Sequence, residues 1–199
     1  MVDSYKTIET RSEGIFKDKG SRFLSFAFPV NNENEINEHR QELKKKYFDA
    51  RHHVYAFCLG ADQSIFRASD DGEPSNSSGP PVLGQIRSFG LTNILIVVVR
   101  YFGGTKLGIP GLINAYKAAA KDALEKGRII EKNVEIQLKL KFDYALMNQV
   151  MKLLKQERVH IINQQFDSEC LMEIMVGKSF YTQTFELLNK IEKLEIIRL

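Results

Sequence analysis

At 199 residues, 43% hydrophobic and 27% charged, the chain is long enough for one large or two small domains, each with a real apolar core. Its net charge of +3 is mildly basic, whereas a protein committed to duplex nucleic acid carries a larger excess. No run approaches the ~20 apolar residues of a membrane span, and the opening residues lack the apolar centre of a secretory leader.

Residues 7–17 and 22–30 read as two strands joined by a tight turn at Lys19-Gly20-Ser21. Residues 33–48 follow as a highly charged helix, whose closing Lys44-Lys45-Lys46 complements the helix dipole or simply forms a solvated face. Arg51 to Phe57 is the next strand, and it carries adjacent histidines, His52 and His53. Neighbours on a strand point to opposite faces, so one imidazole meets a core or cleft and the other meets solvent. They cannot share a metal from one strand, and no Cys/His cluster accompanies them, so neither a metal site nor a cofactor is expected. Cys58 and Cys170 lie far apart in strand-like apolar runs and read as buried thiols of a soluble, cytoplasmic protein.

A strand at about 64–69 leads into Ser69-Asp70-Asp71-Gly72-Glu73-Pro74 and a polar stretch reaching Pro81. Long irregular loops tend to be functional. Three carboxylates in four residues could hold Mg²⁺ or act as acid and base, but Asp and Gly are also ordinary turn formers. A short helix over 81–88 precedes a strand at 93–101, where the unbroken apolar run Ile94–Val99 marks burial on both faces.

That strand ends at Arg100, Tyr101 and Phe102, passes Gly103, Gly104, Gly108 and Gly111, and enters a helix with Pro110 in its first turn. The spacing matches neither GxxxxGK followed by Ser or Thr nor GxGxxG. The glycines serve either positive φ and close packing, or anion binding through backbone amides. Arg100, Lys106, Lys117 and Lys121 tilt the balance toward anions. Of the Lys and Arg residues 18 fall in residues 1–130 against 15 Asp and Glu, while residues 131–199 balance at 10 and 10. From residue 131 onward the pattern is strand, helix, two strands, helix, strand, the ferredoxin-like βαββαβ order. Its strands offer no aromatic platform for stacking bases, so a docking surface is preferred there.

The stretch Val98–Tyr116 closely resembles the VVRYFGGTxLGxGGLxxAY signature of the YigZ/IMPACT family. Three further blocks agree in order: Lys19 to Phe23 with KxSRF, Ala50 to Phe57 with AxHHxxAF, and Ser69 to Pro74 with SDDGEP. The chain departs at Asn76-Ser77-Ser78-Gly79, where the family tends to have GTAG, and at Lys106 and Pro110. The layout resembles the bacterial branch, in which a ferredoxin-like domain follows directly. Eukaryotic relatives carry a separate N-terminal module engaging a translation-control kinase, for which this chain leaves no room. The resemblance implies an α+β protein with two domains, 1–130 and 131–199. The first would resemble the ribosomal-protein and elongation factor G domain IV fold, and the second elongation factor G domain V.

Three functions follow from these readings. The first is a translation accessory protein that meets RNA or the ribosome. Arg100, Lys106, Lys117 and Lys121 would bind phosphates there, and the amides of Gly103, Gly104 and Gly108 would cradle an oxygen. The second is a hydrolase-type enzyme with His53 as base and Asp71 or Glu73 as orienter, although no activated nucleophile accompanies them. The third is a non-catalytic adaptor that docks proteins on its C-terminal half. The sequence sets no oligomeric state.

Overall fold

A computed structural model describes residues 2–157, 159–167 and 169–199. The chain forms two compact units, Tyr5–Lys132 and, with residues 2–4, Asn133–Leu199. In the first, five antiparallel strands run in the order β2 (Ser12–Asp18), β3 (Ser21–Pro29), β6 (Ile94–Tyr101), β4 (His52–Leu59) and β5 (Ile65–Ser69). The apolar run of β6 lies at the centre because each face of the sheet carries helices. Leu95, Val97 and Val99 join Phe28, Tyr55 and Phe57 beneath Ile36 and Leu43 of α1 (Glu33–Lys46). Ile94, Ile96 and Val98 join Val54, Ala56 and Cys58 beneath α2 (Gly79–Ser88) and α3 (Gly108–Lys126).

Local chemistry sets the helix ends. Asn32 caps α1, its side chain accepting from the Glu35 N–H at 3.0 Å, while the Glu35 carboxylate accepts from the Asn31 N–H at 2.8 Å. The helix expected over 81–88 begins at Gly79 instead. Pro80 and Pro81 fit inside its first turn, where the missing N–H groups have no intrahelical partner to lose. The single strand expected over 7–17 divides into β1 (Ser4–Ile8) and β2. β1 pairs with β7 (Ile129–Asn133), a strand too short and too exposed to show a sequence period.

α3 lies close against β2 because Gly14 has no side chain. A Cβ there would stand 2.4 Å from the Ala123 backbone nitrogen. The hydroxyls of Ser12 and Ser25 donate to the α3 carbonyls of Ala123 and Ala119 at 2.8 and 2.6 Å, which anchors the helix across the sheet.

The second unit has the ferredoxin-like order expected of it: β8 (Glu135–Phe142), α4 (Met147–Gln156), β9 (His160–Phe166), β10 (Cys170–Gly177), α5 (Tyr181–Asn189) and β11 (Glu195–Arg198). Its antiparallel sheet runs β11-β8-β10-β9. Leu138, Leu140 and Phe142 alternate inward against Val150, Leu154 and Leu188 of the helices. Arg158, the first position of the strand expected over 158–166, lies outside the described residues. The class is α+β.

Gly14→Ala forces α3 away from β2, so unfolding in urea is expected to show a loss of about 1–3 kcal/mol. A substitution at the open Gly84, where nothing lies within 4 Å, lacks that steric cost.

Candidate functional site

Strand parity continues past the core and decides which side chains meet. Arg100 extends the Ile94, Ile96, Val98 series, and His52 extends the Cys58, Ala56, Val54 series, so both emerge on the α2/α3 face. They are register partners on β6 and β4. A cleft of about 860 Å³ opens over them, walled by Arg51, Glu73, Pro74, Phe102, Lys106 and the start of α3.

Parity also sends His53 the other way. It shares the α1 face with Tyr55 and Val99, is 8% exposed and does not line the cleft. Burial pulls its pKa down against the opposing pull of Asp71, and its buried Nε2 has no hydrogen-bond partner. The base read for an enzyme thus lies on the wrong side of the sheet, and His52 takes the cleft position. His52 Nδ1 lies 2.9 Å from the Asp71 carbonyl oxygen. A carbonyl only accepts, so this contact assigns the proton to Nδ1 and leaves Nε2 as the acceptor.

The acidic loop is structural. One Asp70 oxygen accepts from the Ser78 hydroxyl at 2.7 Å and from the Ser78 and Gly79 N–H groups at 3.0 and 2.8 Å, and the other accepts from the Asn76 N–H at 2.8 Å. Burial alone would raise its pKa, but these donors outweigh burial and hold the carboxyl below its ordinary range. Asp71, at φ +43°, accepts from the His53 backbone N–H at 2.7 Å. Glu73 accepts from Arg100 Nη1 at 2.6 Å and from the Tyr116 hydroxyl at 2.7 Å, all on one oxygen. The Arg100 and Glu73 side chains are only 8% and 4% exposed. Burial, reinforced by the Glu73 charge, pushes the Tyr116 phenol far above its ordinary range. Arg100 is therefore no free surface cation, and the Asp71 and Glu73 carboxylates are each held by neighbouring donors.

The glycine loop divides into one glycine that packs and two that face open space. Gly103 is a packing glycine: a Cβ there would stand 1.9 Å from the Gly20 carbonyl carbon, and its N–H donates to the Ser21 hydroxyl at 3.1 Å. That amide is not available to an anion. Gly104 at φ +87° and Gly108 at φ +71° face open space, a Cβ at Gly108 meeting only Pro110 Cδ at 4.0 Å. Lys106 and Gly108 line the cleft, while Lys117 and Lys121 are exposed along α3 and Lys121 pairs with Glu125 at 3.4 Å. Sequence reading missed Arg51, His52, Phe102 and the Asp49–Tyr101 pair. The parity of β4 against β6 would have found His52 had the register been known. The Tyr101 hydroxyl donates to Asp49 at 2.7 Å, and that bond, with some burial, pushes its pKa up to about 12.

The Impact N-terminal domain family model matches residues 19–124. The chain is 32% identical over 158 residues to IMPACT family member YvyE of Bacillus subtilis (strain 168), covering 79% of this chain and 73% of that one. Against IMPACT family member YigZ of Escherichia coli (strain K12) it is 32% identical over 158 residues, covering 78% of each. A crystal structure described only as that of a hypothetical protein superposes with a TM-score of 0.77 at 26% identity, covering 100% of this chain and 98% of that one.

Arg100→Ala leaves the Glu73 carboxylate buried without its cation, and chemical denaturation is expected to register a loss of about 3–5 kcal/mol. Absorbance titration at alkaline pH should find one tyrosine, Tyr101, with a midpoint of about 12, and Asp49→Asn should return it toward 10.0. Because its folded pKa is raised, the stability this group contributes is complete below pH 10 and is lost as pH rises through about 12.

Proposed function

Because the chain belongs to the IMPACT family, we propose that it is a cytoplasmic, translation-associated accessory protein that meets RNA or the ribosome through the start and outer face of α3. The supporting observation is the open half of the glycine loop. Gly104 and Gly108 face solvent beside the exposed Lys106, and Lys117 and Lys121 continue the same charge along the helix. The N–H groups of Gly108 and Ile109 at the start of α3 have no intrahelical acceptor, Pro110 carries none, and Leu107 at the cap position offers no side-chain bond to them. An anionic polymer supplies what such a surface lacks. The resemblance of the two halves to elongation factor G domains IV and V points the same way by analogy of fold.

Arg100, tied to Glu73, anchors the loop instead of touching phosphate. The contacts left to the polymer are few and lie at the surface, so binding is weak, sensitive to salt and indifferent to sequence.

Sedimentation through sucrose should carry the protein with ribosomes at low salt and release it at high salt. Lys106→Glu and Lys117→Glu are each expected to flatten the dependence of log affinity on log salt by about one unit. Absence from ribosomal fractions at both salts, with no binding to bulk RNA, overturns the reading.

A further inference from the structure

The cleft over His52 and Arg100 is lined by both charged and apolar side chains. Arg51 and Lys106 supply the cations, Asp49 is tied to the Tyr101 hydroxyl, and Phe102, Leu107, Ile109 and Leu112 supply apolar surface around the uncapped start of α3. Phe102 and Ile109 are 57% and 53% exposed, although each has a buried core within a few residues of chain. Arg100 lies at the floor with its side chain 8% exposed, and its Nε has no hydrogen-bond partner.

We propose that this cleft is a nucleotide site: it holds one nucleoside 5′-phosphate, with the phosphate between Arg51, Lys106 and the first amides of α3 and the base against Phe102. This rests on the RNA-binding reading above and names the unit of ligand that the site takes. The volume of about 860 Å³ falls within the roughly 300–1,000 Å³ usual for small-ligand sites. Inorganic phosphate would leave the apolar surface bare, and a purely apolar ligand would strand two cations. A nucleotide is the common anionic metabolite unit with a flat apolar face. Glu73 borders the cleft without repelling the phosphate, since its carboxylate is capped by Arg100 and Tyr116. His52, with Nδ1 bonded to Asp71, presents Nε2 as an acceptor suited to a ribose hydroxyl.

Calorimetric titration of the full chain with 5′-AMP, adenosine and inorganic phosphate at low salt tests this. AMP is expected to bind, with adenosine and phosphate each weaker by about tenfold or more. Phe102→Ala should weaken AMP by roughly 5–100-fold and leave phosphate unchanged. Lys106→Gln should weaken both. Phe102 is 57% exposed, so its replacement is expected to leave folding intact, and circular dichroism checks this.

A short oligo(A) identifies the source of the nucleotide. Binding that falls with Phe102→Ala assigns the cleft to a strand of RNA, and AMP binding without oligo(A) binding assigns it to free nucleotide. AMP no tighter than phosphate, or indifferent to Phe102→Ala, overturns the cleft proposal, even if oligo(A) still binds along α3. AMP binding by a protein that ignores RNA and ribosomes upholds the cleft and overturns only the translation reading.

Discussion

One buried carboxylate governs the first unit. Glu73 comes from the loop after β5, yet its single engaged oxygen takes donors from the end of β6 and from the third turn of α3. Away from water a carboxylate must be met by cation and hydrogen bonds, and a loop displaced from this position would strand both Glu73 and Arg100 without compensation. Such a pair adds little net stability over a well-packed apolar core. What it does here is hold three chain segments to one arrangement, because no other position satisfies all three groups. Phe23, edge-on to Tyr116 with ring centroids 5.0 Å apart, closes the core behind them.

From that anchor the rest of the acidic loop follows. Asp70 gathers the amides of Asn76, Ser78 and Gly79 and so starts α2, while Asp71 binds the edge of β4 through side chain and carbonyl together. Left-handed backbone at Asp71, Gly72 and Asn76 lets the chain turn tightly enough to do both. The loop is irregular without being loose. Its acids look like a metal or acid–base cluster in sequence, but each has a different neighbour and a different task. By holding the carbonyl of Asp71 against His52, the loop also sets that Nδ1 of this imidazole carries a proton.

How far the sequence could be read depended on the range of the interactions. The apolar run of β6, the small-residue face of α3 and the alternation of β8 are local signals, and the elements and the βαββαβ order followed from them. β1 and β7 were missed because each is five residues long and gains its identity only from the other. His52 and His53 were correctly sent to opposite faces, but choosing between them needed the register of β4 on β6, which no single strand contains. Arg100 at the end of an apolar run reads as a cation reaching solvent. Its partner lies 27 residues away, on a loop whose path the sequence does not reveal. The sequence left packing and anion binding open for the glycines because their neighbours are distant in the chain: Gly103 packs on Gly20, and Gly104 and Gly108 face open space.

The basic excess around the central motif shrinks once partners are counted. Arg100 is neutralised by Glu73, Lys121 faces Glu125, Lys126 holds Asp122 and Arg128 holds Glu9. Lys106 and Lys117 have no ion-pair partner among the described residues. The exposed pairs are worth about 0–1 kcal/mol each, so Lys121, Lys126 and Arg128 can exchange a carboxylate for a phosphate at almost no cost. Arg100 cannot, because leaving Glu73 would bury a bare charge. The surface therefore holds two kinds of cation: a fixed one that shapes the cleft, and exchangeable ones that respond to whatever anion arrives. Attraction by the second kind would act on any anionic polymer alike. Discrimination under the proposed reading would fall to the cleft floored by the first kind, where an aromatic side chain and an uncapped helix start lie within one small volume.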